Sequence, residues 1–166
     1  ALDWKLLIQA YSKKLSDQKV IDTINQMAST YVPELITFTL EYGVLKNVVY
    51  PIKQFLRLLD CFIPLLRSEV TDCSLFNSSF NQNQNNTFEG FGEEKLGVGA
   101  ERICTFCLIW AFGGLLEEES RQRFNKLFRE LCAKNLSRGP IPTKGTVFDY
   151  YLDVERLTWL LWSDSK

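Results

Sequence analysis

The chain has 166 residues, 46% of them hydrophobic and 13% aromatic. That is about one domain's length, with enough apolar surface to bury a core, which excludes disorder throughout. With 19 basic and 20 acidic residues the net charge is −1, so the composition carries no basic footprint for nucleic acid and no polybasic patch for a membrane.

The chain reads as mainly α. Apolar residues at Trp4, Leu7, Ile8, Tyr11 and Leu15 predict a first helix, and Ser16 or Asp17 is placed to cap the next. Val20, Ile21, Ile24, Met27, Ala28 and Tyr31 form its buried stripe, with a break or kink expected near Val32 because Pro33 lacks a backbone donor. Leu35, Phe38 and Tyr42 resume the stripe, and Gly43 can close it. A third helix starts at Tyr50 or Pro51. Ile52, Phe55, Leu56, Leu59, Phe62, Ile63 and Leu66 face inward, Lys53, Arg57 and Asp60 face out, and Pro64 bends the helix or ends its regular part. Residues 72 to 99 are rich in Asn, Gln, Ser and Gly and read as a long exposed loop, whose stretch 77 to 95 is too polar to pack and is expected to be the most mobile or protease-sensitive part.

Glu101 to Leu116 predicts a buried helix, with Ile103, Phe106, Cys107, Trp110 and Leu115 as core contacts and Trp110 among the most buried residues. Its apolar part, Ile103 to Leu116, falls short of the roughly 20 residues that cross a membrane. Gly113-Gly114 ends it. Glu117, Glu118 and Glu119 then occupy the favourable end of the next helix dipole. Phe124, Leu127, Phe128 and Leu131 are that helix's inner face, and Arg121, Arg123, Lys126 and Arg129 its wet face. Pro140, Pro142 and Gly145 mark a boundary. Residues 145 to 153 read as a short strand, and 156 to 162 as its partner or a short helix. A lone hairpin is marginal in water, so this one must dock on something.

Catalytic equipment is scarce. No histidine occurs, which excludes a Ser-His-Asp or Cys-His site within the chain. The cysteines, Cys61, Cys73, Cys104, Cys107 and Cys132, are odd in number and fit unpaired thiols in a reducing compartment. Cys104 and Cys107 form a CxxC inside an apolar helix, with no second ligand pair, and read as buried thiols. Asp149, Asp153 and Glu155 read as solvated acids, since alternate strand residues point apart. Gly97-Val98-Gly99 lacks the lysine and hydroxyl of a phosphate loop. The triplets at Asn77 and Asn85 match the glycosylation pattern, as Asn/Ser-rich tracts do by chance. No catalytic, cofactor-binding or metal-binding residue is assigned. The start, Ala1-Leu2-Asp3-Trp4-Lys5, without Met or signal layout, reads as a piece of a longer chain.

Four fragments, in order, resemble the dynein heavy chain family: "LDWKLLIQAY"; "YVPELITFTLEYG" followed by "VVYPIKQFLRLLDCFIPLL"; "FCLIWAFGGLLEEESRQRFNKLFREL"; and "PTKGTVFDYYLDVERLTWLLW". The segment is similar to the lid, or small helical subdomain, of the second AAA+ module, and "WAFGG" and "GTVFDYY" resemble axonemal more than cytoplasmic dyneins. The resemblance implies a lid-like helical domain over 1–139, with 72–99 inserted, and an extension over 140–166 leading to the third module. It implies a segment without catalysis of its own, transmitting nucleotide-dependent motion inside an ATP-driven microtubule motor. ATP or ADP with Mg would belong to the parent chain. The implied partners are adjacent modules, the microtubule and other dynein subunits, in the cytoskeleton of a ciliary axoneme. Walker motifs and stalk heptads are missing from these 166 residues. A free-standing helical interaction module fits the composition too, and a thiol enzyme using Cys104 or Cys107 is the third reading.

Overall fold

The computed structural model describes residues 3–78, 85–135, 137–138 and 140–164, without side chains over 67–93. Within them the order is α1 (Trp4–Ser12), α2 (Gln18–Tyr42), α3 (Val49–Ser78), α4 (Asn85–Gly113), α5 (Glu118–Lys134), a 3-10 turn Val147–Asp149, β1 (Tyr150–Asp153), β2 (Thr158–Leu161) and a 3-10 turn Trp162–Asp164. The mainly α bundle with a terminal hairpin expected from the sequence is what the chain forms.

Helix α4 is the centre of the bundle and packs on α2, α3, α5 and β1. Ala100, Ile103, Cys104, Cys107, Leu108 and Ile109 are wholly buried. So many buried sides make α4 apolar nearly all round, as a central helix must be. Glu94–Gly113, 20 residues, is long and apolar enough to cross a membrane, a longer stretch than Ile103 to Leu116, and most of it is buried inside this chain. The outer helices bury one stripe each. Ile52, Phe55, Leu59, Ile63 and Leu66 of α3 are covered, and Lys53, Arg57 and Asp60 are exposed, as the spacing requires.

Neither internal proline interrupts its helix. Pro33 lies inside α2 and Pro64 inside α3. Both are on exposed faces, and so are Ser29 and Asp60, whose carbonyls lose a partner. Water can take those carbonyls, and the buried stripes on the far side hold the helices through. The long loop expected over 72 to 99 is also corrected: α3 continues to Ser78 and α4 starts at Asn85, with 79–84 outside the described residues. Once the packed halves of α3 and α4 are nucleated, each further turn costs little, so polar residues extend a helix they would not start. Gly97 and Gly99 thus lie within α4. The two Asn triplets fall where side chains are not described.

Short devices set the ends. Asn47 Oδ1 accepts from the N–H groups of Val49 at 2.9 Å and Tyr50 at 3.4 Å, so α3 starts before Pro51, which sits in the first turn where it lacks no bond. Asp17 is the N-cap of α2 but makes no capping bond from its side chain. At the C-terminus only part of 145 to 153 is a strand. Residues 147–149 form a 3-10 turn, because Thr146 and Asp149 close a capping box there. The strands pair antiparallel, Tyr150 with Leu161 through Asp153 with Thr158. Asp153 Oδ1 accepts from the N–H groups of Glu155 at 3.1 Å and Arg156 at 3.3 Å, turning the hairpin.

Candidate functional site

The thiols come first, as the groups with the strongest intrinsic chemistry. Cys104, Cys107 and Cys132 are free and buried, and Cys61 is free and exposed. Burial pushes the Cys104 thiol far above its ordinary range, with the Glu101 charge adding to it, and burial pushes Cys107 the same way. A thiolate is what redox or metal chemistry needs, and both sites disfavour it. No metal-competent cluster occurs among the described residues. Asp149 and Asp153 are occupied by local turns instead: Asp149 Oδ2 accepts from the Thr146 N–H at 2.7 Å.

A polar cleft of about 330 Å³ opens between α2, α4 and α5, lined by Lys19, Tyr31, Glu101 and Arg138 among others. Arg138 Nε donates to Glu101 Oε2 at 3.0 Å and its backbone N–H to Oε1 at 2.9 Å. Its charge is neutralised there, which weakens the cleft as a seat for an anion.

The most elaborate polar geometry lies where the C-terminal extension meets α4 and α5. Gly113 explains the glycine at the end of α4: a Cβ there would stand 2.6 Å from Phe148 Cζ, so only a glycine lets that ring close on the helix. Phe148 then meets Trp110 edge-on at 5.8 Å and Phe124 at 5.5 Å between ring centroids. Above it lies the Arg121 guanidinium, 4.8 Å from the Phe148 centroid and 5.9 Å from that of Trp110. The same guanidinium donates to the carbonyls of Leu116 at 3.1 Å and Gly114 at 2.8 Å. Arg121 is therefore half-buried and locks the α4–α5 turn, not a member of the wet face.

Arg129 is corrected likewise. Its Nη2 donates to the carbonyls of Pro142 at 3.0 Å and Gly145 at 3.2 Å, and its Nε to Asn125 Oδ1 at 3.1 Å. Asn125 Oδ1 also accepts from the Val147 N–H at 2.9 Å. Gly145 is at φ +70, and a Cβ there would meet Asp149 Oδ2 at 2.4 Å, so the loop requires glycine twice over. From α4, Arg102 donates through Nη1 to the carbonyl of Leu157, a residue at φ 55, and so holds the hairpin's tip. Trp159 packs on Phe106. Ile141, Val147, Tyr150, Leu152 and Leu157 join the same buried cluster as the helices.

Sequence reasoning missed Arg102 and misplaced Arg121 and Arg129. Two burial expectations also fail. Trp110 is only partly buried, since it faces the hairpin across the bundle's rim, and Leu115 is 61% exposed because the chain has already turned at Gly114. Arg123 and Lys126 are exposed as expected.

Residues 24–164 match the family described as dynein heavy chain AAA lid domain. The dynein-1-beta heavy chain of the flagellar inner arm I1 complex of Chlamydomonas reinhardtii is 39% identical over 57 residues, 34% of this chain and 1% of that one. Dynein axonemal heavy chain 11 of Sus scrofa is 36% identical over 59 residues, 36% of this chain and 1% of that one. Dynein axonemal heavy chain 5 of Rattus norvegicus is 25% identical over 169 residues, 98% of this chain and 4% of that one. The chain thus spans between 1% and 4% of the length of these relatives. No solved structure matches it. With the family covering 24–164, the chain belongs to the dynein heavy chain AAA lid domain family.

Proposed function

We propose that this segment is the lid of the second AAA+ module of an axonemal heavy chain and relays nucleotide-dependent motion to the module that follows. The relay is mechanical. The observation that carries it is the fastening of the C-terminal extension: Arg102 and Arg129, on two different helices, both bond its backbone. An extension held this way moves with the helices as one body, which is what a rigid-body shift between modules requires. ATP and Mg bind elsewhere in the heavy chain, and the segment itself does no chemistry. Its setting is the ciliary axoneme, and its partners are the adjacent modules and, through the whole chain, the microtubule.

Two measurements test this. The 166-residue chain alone should give no ATP turnover above a blank; turnover that survives repurification contradicts it. In a heavy chain carrying this segment, Arg102→Ala with Arg129→Ala should slow microtubule gliding several-fold while ATP is still hydrolysed. Gliding at the unmodified speed, with the extension shown to be loosened, would defeat the relay.

A further inference from the structure

Helix α1 has 9 residues and packs on α2 and α3, both of which pack on α4. It closes the seam between two outer helices, over the centre of the bundle. An isolated helix needs roughly 12–15 residues to hold in water, so α1 forms only while docked. It also precedes residues 24–164, the part that matches the lid family.

The docking of α1 is by packing alone. Its buried residues are Ile8, Tyr11 and Ser12, and the Ser12 hydroxyl turns back on the Ile8 carbonyl at 2.9 Å. Among the described residues no side-chain hydrogen bond or ion pair ties α1 to another helix. The C-terminal hairpin, by contrast, is tied by Arg102. The Tyr11 hydroxyl is covered yet has no hydrogen-bond partner. A buried hydroxyl without a partner has given up water for nothing, so it opposes the docking that its own ring favours.

What lies beneath gives the opening a consequence. Burial raises the Tyr11 phenol well above its ordinary range, and Asp60 of α3, Cys104 and Cys107 of α4, and Cys61 of α3 are near enough to add to it. Cys104 and Cys107 are wholly buried, and a spacing of three residues puts them on one side of α4. We propose that α1 is a strap over the CxxC, which opens while the rest of the bundle stays folded and with each opening uncovers Cys104 and Cys107 to thiol-reactive electrophiles. The strap is independent of the relay, which rests on the C-terminal extension.

Hydrogen exchange and labelling with N-ethylmaleimide on the folded chain test this together. In the labelling step the thiol sulfur bonds to one alkene carbon of the maleimide and a proton ends on the other. Amides of Ile8–Ser12 should exchange at least about tenfold faster than those of Ile103–Ile109. Tyr11→Phe removes the unpartnered hydroxyl and keeps the ring. It should slow both α1 exchange and labelling of Cys104 and Cys107 by about threefold or more, with α4 exchange unchanged. Ile8→Ala should quicken both by about tenfold or more, again with α4 unchanged. Cys61, exposed on α3, is the labelling control. Three results would each overturn the strap. One is exchange of α1 and α4 at a single rate. Another is a Tyr11→Phe chain whose α1 exchange or labelling is quicker or unaltered, which would mean that the hydroxyl is not a burden on docking. The third is thiol labelling that follows the exchange of α4 and not that of α1.

Discussion

The middle of α4 and the C-terminal hairpin share one core, yet they are held in place differently. Along α4, Ile103, Cys104, Cys107, Leu108 and Ile109 are wholly buried, and position comes from packing on every side. The hairpin buries Tyr150 and Leu152 on one strand but leaves β2 alternating between exposed and half-buried. Its position depends on directed bonds from Arg102, Arg129 and Asn125 to its own and adjoining backbone. Packing energy is spread over many contacts, so a helix of this kind survives any single loss except a large one. A hydrogen bond to a charged group carries about 1.5–3 kcal/mol, so the hairpin depends on a few atoms.

The comparison breaks first if the core does not dominate stability. Phe128 is wholly buried and packs against Tyr31 and Phe124. Phe128→Ala should cost about 3–5 kcal/mol in denaturant melts, through lost transfer energy and a cavity. Trp110→Ala should cost clearly less, because Trp110 is only partly buried. Equal losses would mean that the hairpin side of Trp110 is as tightly packed as the core.

Alkali separates the two regions next. The thiols of Cys104 and Cys107 have their pKa raised in the folded chain, so the stability they contribute is fully present below the unfolded value, about 8.5, and is lost as pH rises from there toward the folded value. Melts should be level from about pH 7 to 8 and then fall by up to about 1.4 kcal/mol per thiol per pH unit. Cys104→Ala should flatten that slope. A slope unchanged by it would show that the α4 thiols ionise freely in the folded chain.

The smallest expected effect belongs to the outer face of α5. Arg123 makes a surface pair with Glu119 at 3.3 Å, with side chains 52% and 84% exposed. Arg123→Ala should shift stability by no more than about 0.5 kcal/mol. A larger loss would mean that its stacking on Tyr42, 5.1 Å from the ring centroid, matters more than the ion pair.

The same division explains what was legible. Periodicity located the stripes of α2, α3 and α5, because one buried face imposes a 3.6-residue rhythm on the sequence. The CxxC was legible as structural, because its neighbours are apolar on both sides. The reading that Pro33 or Pro64 could end its helix failed because the cost of a helical proline depends on which face it occupies, and a face is a tertiary fact. The polar tract after Asp72 misled because composition measures burial, whereas a helix already nucleated can run on without it. The arginine anchors were not legible at all. Nothing in the spacing of Arg102, Arg121 or Arg129 says that free carbonyls of a turn will arrive beside them, so a wet face was the natural reading.

The most direct measurement is hydrogen exchange on the folded chain, unmodified and carrying Arg102→Ala with Arg129→Ala. The expected result is that the amides of Tyr150–Asp153 and Thr158–Leu161 lose protection by at least tenfold, while those of Ala100–Phe112 keep theirs. Unchanged hairpin protection would contradict the anchoring by arginines, and a matching loss throughout α4 would contradict the separation between packed core and bonded extension.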